Sequence, residues 1–382
     1  MQKKTAAILI NNLAPGGAER VTTNLTKHLI KLNYNILLIT VDQPQKDLYT
    51  VDPCIKRIWI EESLKRIKTF KEIRRIIFLR KQLKKEKPDF IIGMMSKPSI
   101  MAIISAAGLP VATIVSERNF PGRKKLSIRW GILRKLLYRF ADAHIAQTYK
   151  GKIWIEKNTG AKNIHVIPNA VHWPPDTFEP IIHPDRIIPK SRKLLLAVGS
   201  KTHQKGLDIL LEAFQKISQR HPEWDLVILG YKPKEKKNKH RIKIEEIILN
   251  LQSENRIHLP GPVGNIGEWY LRAEIFILSS RYEGFPNALL EAMTAGCACI
   301  ATDCETGPRD IIDHKINGLL IKQESYSDLA KNIEKLIKSE ELRKQLSHNA
   351  KQKTKKKFNP KIIYSMWENA INSALKNKHQ KT

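Results

Sequence analysis

Short apolar runs recur along the chain, and stretches with helical spacing separate them. After the first run, a glycine turn leads into a helical pattern over Ala18–Leu32. Strands buried on both faces of a parallel sheet are typically such continuous apolar runs, and alternation with helices favours a sheet covered on both sides. The strands predicted in the first half are Ala6–Leu13, Asn35–Val41, Phe90–Ile92, Val111–Ser116, His144–Ala146 and His165–Ile167.

A proline-rich segment between Trp173 and Pro189 interrupts this alternation and predicts an interdomain linker. A final helix is predicted over Pro360–Leu375. The boundaries are therefore 1–171 for a first α/β domain, 172–191 for the linker, 192–357 for a second α/β domain, and 358–382 for the helix and a basic tail. The strands predicted in the second half are Leu194–Val198, Asp225–Leu229, Arg256–Leu259, Ile275–Leu278, Ala298–Ala301 and Leu319–Ile321.

Two domains of this kind suit a chain of 382 residues with 42% apolar side chains. The net charge of +30 implies an anionic partner: a membrane surface, a nucleic acid or a polyphosphate ligand. A general abundance of lysine is the alternative explanation for the charge. It does not account for the local clusters of cations described below.

The cysteines and the apolar runs indicate the cellular compartment in which the protein is expected. Cys54, Cys297, Cys299 and Cys304 have neither a zinc spacing nor the pattern of a disulfide framework, which fits a reducing cytoplasm. The apolar run near the N-terminus is short and is interrupted by Asn11 and Asn12, so a buried strand is favoured over a signal peptide. The sequence contains no stretch of about 20 apolar residues, so no membrane-spanning segment is predicted.

The first candidate site is the turn Pro15-Gly16-Gly17, which follows a strand and opens a helix. Two glycines allow close approach of a ligand, and the helix N-terminus favours a phosphate. The turn lacks the spacing of a dinucleotide site or a P-loop. An ordinary strand-to-helix turn is the alternative.

Two further turns lie in the second domain. Gly199 to Gly206 joins a strand to a helix and carries Lys201 and Lys205, which can neutralise a diphosphate leaving group. Ser279 to Met293 carries Glu283 and, about two helical turns later, Glu291. These carboxylates can bind different hydroxyls of one ligand, with phosphate held by the intervening N–H groups. The alternative is a capped helix with two surface glutamates.

Together these motifs resemble family 4 of the retaining glycosyltransferases, over nearly the whole chain. Besides the glycine loop and the paired glutamates, four segments match its landmarks in order: Ser116-Glu117-Arg118-Asn119, Ala141-Asp142-Ala143, Ile167-Pro168-Asn169 and Thr306-Gly307-Pro308-Arg309. The resemblance implies the GT-B fold, an α/β architecture of two Rossmann-like domains facing across a cleft, with the C-terminal helix crossing back to the first domain. Trp367 is the expected packing anchor of that helix.

The resemblance also implies roles for residues. Glu283 would bind hydroxyls of the donor sugar, Glu291 the ribose and Lys205 the diphosphate, with Gly199 beside it. The turn from Gly284 to Asn287 and the glycines Gly16 and Gly17 are expected to place backbone N–H groups around the reacting centre. Within that turn the donors are Gly284, Phe285 and Asn287, because Pro286 has no N–H. Two departures stand out. Ser200 stands where the family usually has an arginine, and Lys201 comes directly after it. Arg118 stands where many members carry a histidine. Glu117 and Asn119 are assigned to the acceptor side.

Two basic amphipathic segments suggest a membrane partner. Over Leu64–Lys87, apolar residues recur at helical spacing among cations that include Arg74, Arg75, Arg80 and Lys81. Over Arg123–Arg139, Trp130 and Arg134 belong to a second such pattern without acids. A core helix with a solvated basic face is the alternative for each. The basic loop Tyr231–Lys243 lacks apolar anchors and is interpreted as solvated.

The sequence thus predicts a retaining, metal-independent transfer of a hexose or N-acetylhexosamine. The donor is a nucleotide sugar, UDP-linked, and the acceptor a lipid-linked or lipopolysaccharide glycan in bacterial surface polysaccharide synthesis. No cofactor and no nucleic-acid partner are expected, and the protein is placed on the cytoplasmic face of the cell membrane as a peripheral protein. The rival classes are a basic nucleic-acid-binding α/β protein, which would need stacking aromatics, and a sugar phosphorylase of similar fold.

Overall fold

The chain forms two compact units in a computed structural model. The structure describes residues 3–14, 16–43, 45, 47, 49–64, 70–123, 126–231, 244–249 and 256–380. The first unit comprises Met1–Ala170 with Lys361–Thr382, and the second comprises Val171–Pro360. Each contains one parallel sheet with helices on its faces, so the predicted pair of Rossmann-like domains is confirmed.

The sheet of the first unit has seven strands in the order β3-β2-β1-β4-β5-β6-β7. All of its pairings are parallel, which requires crossover connections between successive strands rather than hairpin turns. Its strands are β1 (Thr5–Ile10), β2 (Asn35–Thr40), β3 (Lys56–Trp59), β4 (Phe90–Met94), β5 (Ala112–Ser116), β6 (Ala143–Ala146) and β7 (Ile164–Val166). Its helices are α1 (Gly17–Lys31), α2 (Ile60–Ser63), α3 (Lys71–Glu86), α4 (Ser96–Ala106), α5 (Ile128–Leu137) and α6 (Tyr149–Thr159), with the C-terminal α14 (Pro360–His379).

The sheet of the second unit has six strands in the order β10-β9-β8-β11-β12-β13, again all parallel. Its strands are β8 (Lys193–Val198), β9 (Trp224–Leu229), β10 (Ile257–Gly261), β11 (Ile275–Leu278), β12 (Ala298–Thr302) and β13 (Leu319–Ile321). Its labelled helices are α7 (Thr202–Lys205), α8 (Leu207–Ser218), α9 (Ile266–Arg272), α10 (Asn287–Ala295), α11 (Pro308–Ile311), α12 (Tyr326–Lys338) and α13 (Glu340–Lys357).

Alternate residues of each strand face opposite layers of the core. In β1, Ile8 and Ile10 belong to the apolar layer that contains α1 and α14, whereas Ala7 and Leu9 belong to the layer on the other side. Trp367 of α14 is 1% exposed in the first of these layers. The C-terminal helix therefore packs on the first unit, as predicted, with Trp367 as its anchor.

Every predicted strand is present, with ends that shift by a few residues, and the structure adds β3. The proline-rich segment that we predict as a linker packs onto the second unit. The indole N–H of Trp269 donates to the carbonyl of Ile182 at 2.9 Å, and Ile188 is fully buried in that unit's core. In the described ranges, no helix combines the length and the apolarity needed to cross a membrane.

Candidate active site

The three candidate turns of the second unit meet at one edge of its sheet. Strands β8, β11 and β12 are neighbours in the sheet order. The Gly199 turn follows β8, the Glu283 turn follows β11, and the Thr306 segment follows β12. Because the strands are parallel, their carboxyl ends lie together, which is where α/β sheets bind ligands.

Lys205 and Glu283 form an ion pair at this edge. The Lys205 ammonium lies 2.7 Å from Oε1 of Glu283, and the hydroxyl of Ser280 donates to the same oxygen at 2.7 Å. The side chains are 21% and 7% exposed, respectively. Two candidate residues that are 78 positions apart in sequence are thus brought into contact, in a setting where partial burial strengthens their electrostatic interactions.

Two glycines make this approach possible. Gly199 lies under the Lys205 side chain, and an added Cβ there would come 2.5 Å from Cγ of Lys205. Gly206 has a φ of +59°, and an added Cβ would collide with the carbonyl oxygen of Ser279. The glycines that flank α7 are therefore required by close packing and, at Gly206, by a left-handed backbone. Lys201 immediately precedes α7 with an exposed side chain.

Arg281 locks the two turns together, a role that the sequence analysis missed. Its guanidinium donates to both carboxylate oxygens of Asp208, at 2.9 and 2.6 Å, and to the carbonyl of His203 at 2.9 Å. The hydrogen bond to Asp208 and further contacts with Glu324 raise the pKa of Arg281 despite its burial. Such bidentate pairs fix geometry as well as charge. The acid at 208 carried no motif signal because its partner lies far away in sequence.

Glu291 lies in α10 and is 6% exposed. The hydroxyl of Tyr270, on α9, donates to its Oε2 at 3.1 Å. Glu283 precedes α10, whose first residue is Asn287, so only one of the two glutamates is helical. Phe285 is buried and packs edge-to-face on Phe358, with 5.8 Å between ring centroids. Gly284 to Asn287 therefore form a rigid entry to the helix N-terminus.

The Thr306 segment supports the Glu283 turn. The Thr306 hydroxyl donates to the carbonyl of Glu283 at 2.7 Å, and the Cys304 thiol donates to the carbonyl of Ser280 at 3.1 Å. Burial raises the pKa of Cys304 to about 12, so this thiol remains protonated. The cysteines are free. Among the residues that the structure describes, no group of three His, Cys, Asp or Glu side chains is arranged to hold a metal ion.

In the first unit, the carboxylate of Glu19 lies against the glycine turn. Gly16 has extended backbone and precedes α1, which begins at Gly17; Pro15 lies outside the described residues. The carboxylate of Glu19 folds over Gly16, at the position that a Cβ would take. The helix start that we expected to hold phosphate is thus already beside a carboxylate in this structure, so the assignment of Gly16 and Gly17 to the donor stays a prediction.

Glu117, at the end of β5, is sequestered by its own unit. It is 2% exposed and accepts hydrogen bonds from the Ser96 hydroxyl, at 2.8 and 3.0 Å, and from the Tyr138 hydroxyl at 2.6 Å. Burial, followed by the charge of Glu117, raises the pKa of Tyr138, so the phenol remains a donor. Asn119 is exposed.

Arg118 points to a different set of partners. It is 6% exposed, and its Nη2 donates to Oδ1 of Asn169, which follows β7. Gln147, which follows β6, lies 2.8 Å from Oδ1 of Asn169. With its amide oriented to satisfy its neighbours, its nitrogen donates to the carbonyl of Arg118 at 2.7 Å and its oxygen accepts from Nη2 of Arg118 at 3.2 Å. Three neighbouring strand ends thus meet at these two amides. Among the described residues, Nε and Nη1 of Arg118 have no hydrogen-bond partner.

Several residues assigned to the membrane side are engaged in the fold instead. Arg75 pairs with Glu61 at 2.7 Å, and Arg80 donates to the carbonyls of Ser105 and Ala107. Trp130 is 9% exposed and Arg134 is 8% exposed. These four side chains therefore present little surface to a membrane, because their groups face helices and loops of the same unit. Arg74 is half-buried and Lys81 is exposed.

The exposed apolar side chains of these segments lie on other helix faces. On α5 and the turn after it they recur every four residues, and on α3 they lie three and four residues apart, so each set forms one ridge. Parts of both segments (65–69 and 124–125), and 232–243 of the basic loop, lie outside the described residues. The ridge residues are Ile128 (83% exposed), Ile132 (54%), Leu136 (51%) and Phe140 (62%), and Phe70 (74%), Ile73 (55%) and Ile77 (59%).

Two parallel sheets, one of them with a polar cluster at its carboxyl edge, are consistent with a glycosyltransferase, and comparison with known proteins shows that class. A family model described as Glycosyltransferase Family 4 matches residues 15–172, and one described as Glycosyl transferases group 1 matches residues 178–353. The chain belongs to family 4 of the glycosyltransferases and has the GT-B fold.

Relatives and solved structures cover almost the whole chain. The amylovoran biosynthesis glycosyltransferase AmsD of Erwinia amylovora is 26% identical, over 96% of this chain and 99% of its own. An α-1,4-N-acetyl-D-galactosaminyltransferase of Campylobacter jejuni, which acts on a GalNAc-containing diNAcBac-diphospho-undecaprenol, is 26% identical over 91% and 93%. The Anabaena HepE structure in complex with UDP has a TM-score of 0.77 at 17% identity, over 97% of this chain and 100% of that one.

Proposed function

We propose that the protein transfers a hexose or N-acetylhexosamine from a UDP-linked donor to a lipid-linked or lipopolysaccharide glycan, with retention of the anomeric configuration. The observation that carries the donor assignment is the Lys205–Glu283 pair at the carboxyl edge of the second unit, 2.7 Å apart. The UDP bound to a neighbour in fold and the diphospho-undecaprenol acceptor of a relative support the two substrates.

The roles of the donor side chains follow from their chemistry. Lys205 offers an ammonium to the diphosphate, Glu283 accepts from hydroxyls of the sugar, and Glu291 accepts from the ribose. The helix start at Asn287 offers N–H groups to phosphate. All four contributions come from turns or helices that follow neighbouring strands, so one extended nucleotide sugar can span them.

The ion pair explains how the same residues serve binding and reaction. Before the donor arrives, the Lys205 ammonium is held by Glu283 and is already oriented. A diphosphate brings more negative charge than one carboxylate and competes for that ammonium. As the bond from the sugar to the diphosphate breaks, negative charge grows on the leaving group, and a preorganised cation stabilises it. The acceptor hydroxyl then forms its bond on the same face of the sugar and gives its proton to the departing diphosphate oxygen.

We also infer metal independence, because the sequence contains no Asp-x-Asp and the cationic side chain of Lys205 supplies the charge that a divalent ion would supply. Lys201, exposed before α7, is a second candidate cation for the diphosphate.

For localisation, we infer that the first unit docks peripherally on anionic lipid. The ridges on α3 and α5 expose seven large apolar side chains, and exposed cations adjoin them, including Lys81 and Lys135. Apolar area inserts into the headgroup boundary while cations attract anionic lipids, about 1 kcal/mol each. Docking of this kind would hold the acceptor-binding unit near a lipid-linked acceptor.

A donor screen tests the proposal. The purified protein would be incubated with membrane lipid extract and, separately, with UDP-, GDP- and ADP-linked sugars, and products would be identified by mass spectrometry. We expect a glycosylated lipid only with a UDP-sugar, in an amount that Glu283→Gln lowers by on the order of 10²-fold and that the exposed control Glu341→Gln leaves unchanged. No sugar adduct with any donor would contradict the proposal.

A further inference from the structure

Arg118 is a buried cation without an anionic partner among the residues that the structure describes. It is 6% exposed, its Nη2 donates to the neutral amides of Asn169 and Gln147, and its Nε and Nη1 have no hydrogen-bond partner within that part of the chain. Burial lowers the pKa of Arg118 to about 9, which still leaves the guanidinium charged at neutral pH. A buried charge without a counter-charge is costly, and so is a buried donor without an acceptor. The described residues therefore leave the charge of Arg118 and two of its nitrogen donors unpaired.

The buried Arg256 of the second unit shows the opposite arrangement. It is 9% exposed and donates to Asp225 at 3.3 Å and to the carbonyls of Ser218 and His221, at 3.0 and 2.8 Å. That arginine is satisfied by its own unit, as expected of a residue that serves the fold. Arg118 lacks both the carboxylate and the carbonyls.

The adjacent carboxylate does not neutralise Arg118. Glu117 is bonded to Ser96 and Tyr138. The backbone N–H of Glu117 donates to the carbonyl of Ile145, so the extended pairing of β5 continues through this position. Successive side chains of an extended segment point to opposite faces. Glu117 and Arg118 therefore serve opposite sides of the sheet edge.

The surroundings of Arg118 suit a ligand at the sheet edge. Its position follows β5, and Asn169 follows β7, so the group lies at the carboxyl edge where α/β sheets bind ligands. Ser116, two positions earlier and so on the same side of the strand, has a buried hydroxyl that also lacks a partner in the described part of the chain. Two adjacent residues of one face thus offer unused donors.

We propose that Arg118 and Ser116 form an anion-binding site in the first unit that takes a phosphate or diphosphate group. The planar guanidinium matches two phosphate oxygens at once and the hydroxyl adds a third donor. The identity of the ligand rests on the proposed function: the group that binds here is the phosphate nearest the glycan of the lipid-linked acceptor. The donor's diphosphate belongs to Lys205 in the second unit.

Titration calorimetry separates the two sites. The protein would first be saturated with UDP and then titrated with inorganic phosphate, inorganic diphosphate or a short prenyl diphosphate. We expect the UDP-saturated wild type to bind diphosphate, Arg118→Lys to bind about tenfold more weakly and Arg118→Met at least a hundredfold more weakly. Tighter binding of the prenyl diphosphate assigns the site to a lipid-linked anion, and equal binding assigns it to the free anion.

A stability measurement guards against a merely structural effect. Without ligand, Arg118→Met should unfold at the same temperature as the wild type or a few degrees higher, because a costly buried charge is removed. The matched variant Arg256→Met should unfold at a clearly lower temperature, because it empties a satisfied network.

Three results would overturn the site: unchanged diphosphate binding by Arg118→Met, no binding by the UDP-saturated wild type, or destabilisation of Arg118→Met as large as that of Arg256→Met. Diphosphate binding that depends on Arg118 without sugar transfer from any donor would instead leave the site standing and remove the proposed function.

Discussion

The two units treat their charges differently. In the second unit, the cation and carboxylate at the carboxyl edge are paired, Lys205 with Glu283, and the buried Arg256 contacts Asp225. In the first unit, the buried Arg118 has no carboxylate partner among the described residues, and exposed cations adjoin apolar ridges on α3 and α5. Both sheets are parallel and covered by helices, so the fold alone does not account for this difference.

Under the proposed function, this difference would match the substrate of each unit. A soluble donor must bind and leave repeatedly, and an internal ion pair would let Lys205 exchange one anion for another at modest cost. A site whose cation is unpaired gains more from its ligand, since binding removes the cost of the uncompensated charge. The first unit would then bind the anionic, lipid-linked acceptor that we propose, and the second would bind the nucleotide.

The largest expected effect concerns membrane binding by the first unit. Changing Lys81, Lys84, Lys85 and Lys135 to Gln removes four exposed cations at about 1 kcal/mol each, roughly a thousandfold in partitioning to anionic liposomes. Sedimentation with anionic and neutral liposomes, at low and high salt, measures it. The control carries the same charge change on the second unit: Lys331, Lys335, Lys355 and Lys356 to Gln. Equal loss in both variants would show that only net charge matters.

The next effect concerns the ion pair of the second unit. Lys205→Ala and Glu283→Gln should each lower turnover by on the order of 10²-fold, because each removes a preorganised partner of the reacting group. Lys331→Ala, an exposed lysine, should leave it unchanged. Steady-state kinetics with the donor found in the screen measures both. A rate near that of the wild type for Lys205→Ala would remove its proposed role.

A smaller effect is expected for Tyr270, which positions Glu291 through a hydrogen bond of 3.1 Å. Tyr270→Phe should weaken UDP binding roughly tenfold, about 1.4 kcal/mol, with little change in turnover at saturating donor. Titration calorimetry with UDP and the matched kinetics separate the two quantities. Tyr326→Phe on the surface is the control. A loss confined to turnover would argue against a role in nucleotide binding.

The smallest effect is a slope in acid stability. Burial would raise the pKa of Asp225, but hydrogen bonds from His258 and Arg192 outweigh it, so the folded-state pKa is lowered. The stabilisation is present above the unfolded-state pKa, about 3.9, and is lost as pH falls below it. Urea unfolding from pH 5 to 2.5 should show a slope that Asp225→Asn flattens. An unchanged slope would assign acid sensitivity elsewhere.

The sheets were predictable because parallel strands buried on both faces are continuous apolar runs. Strand β3 escaped prediction because it is an edge strand whose first residue, Lys56, is exposed and whose other residues are half-buried. The contact of Lys205 with Glu283 could be expected only as a shared sheet edge. The pairing itself depends on Gly199 and Gly206, whose missing side chains let the two turns approach.

The two basic amphipathic segments show what helical periodicity cannot predict, namely which face of a helix is buried. Helix α5 is apolar on two faces: Trp130 lies on the buried one, and Ile128, Ile132 and Leu136 lie on the exposed one. Helical spacing finds a stripe but does not say which stripe meets the core. For the same reason the unpaired state of Arg118 was not predictable, because it depends on which partners the fold leaves out.

The stereochemistry of the product decides between a retaining, metal-independent transfer and the alternatives. Proton NMR of the glycan made from a UDP-α-linked sugar, with and without EDTA, reports the new anomeric bond and the need for a metal. We expect an α-linked product, formed at the same rate in both conditions. A β-linked product, or activity that disappears with EDTA and returns with manganese, would contradict it.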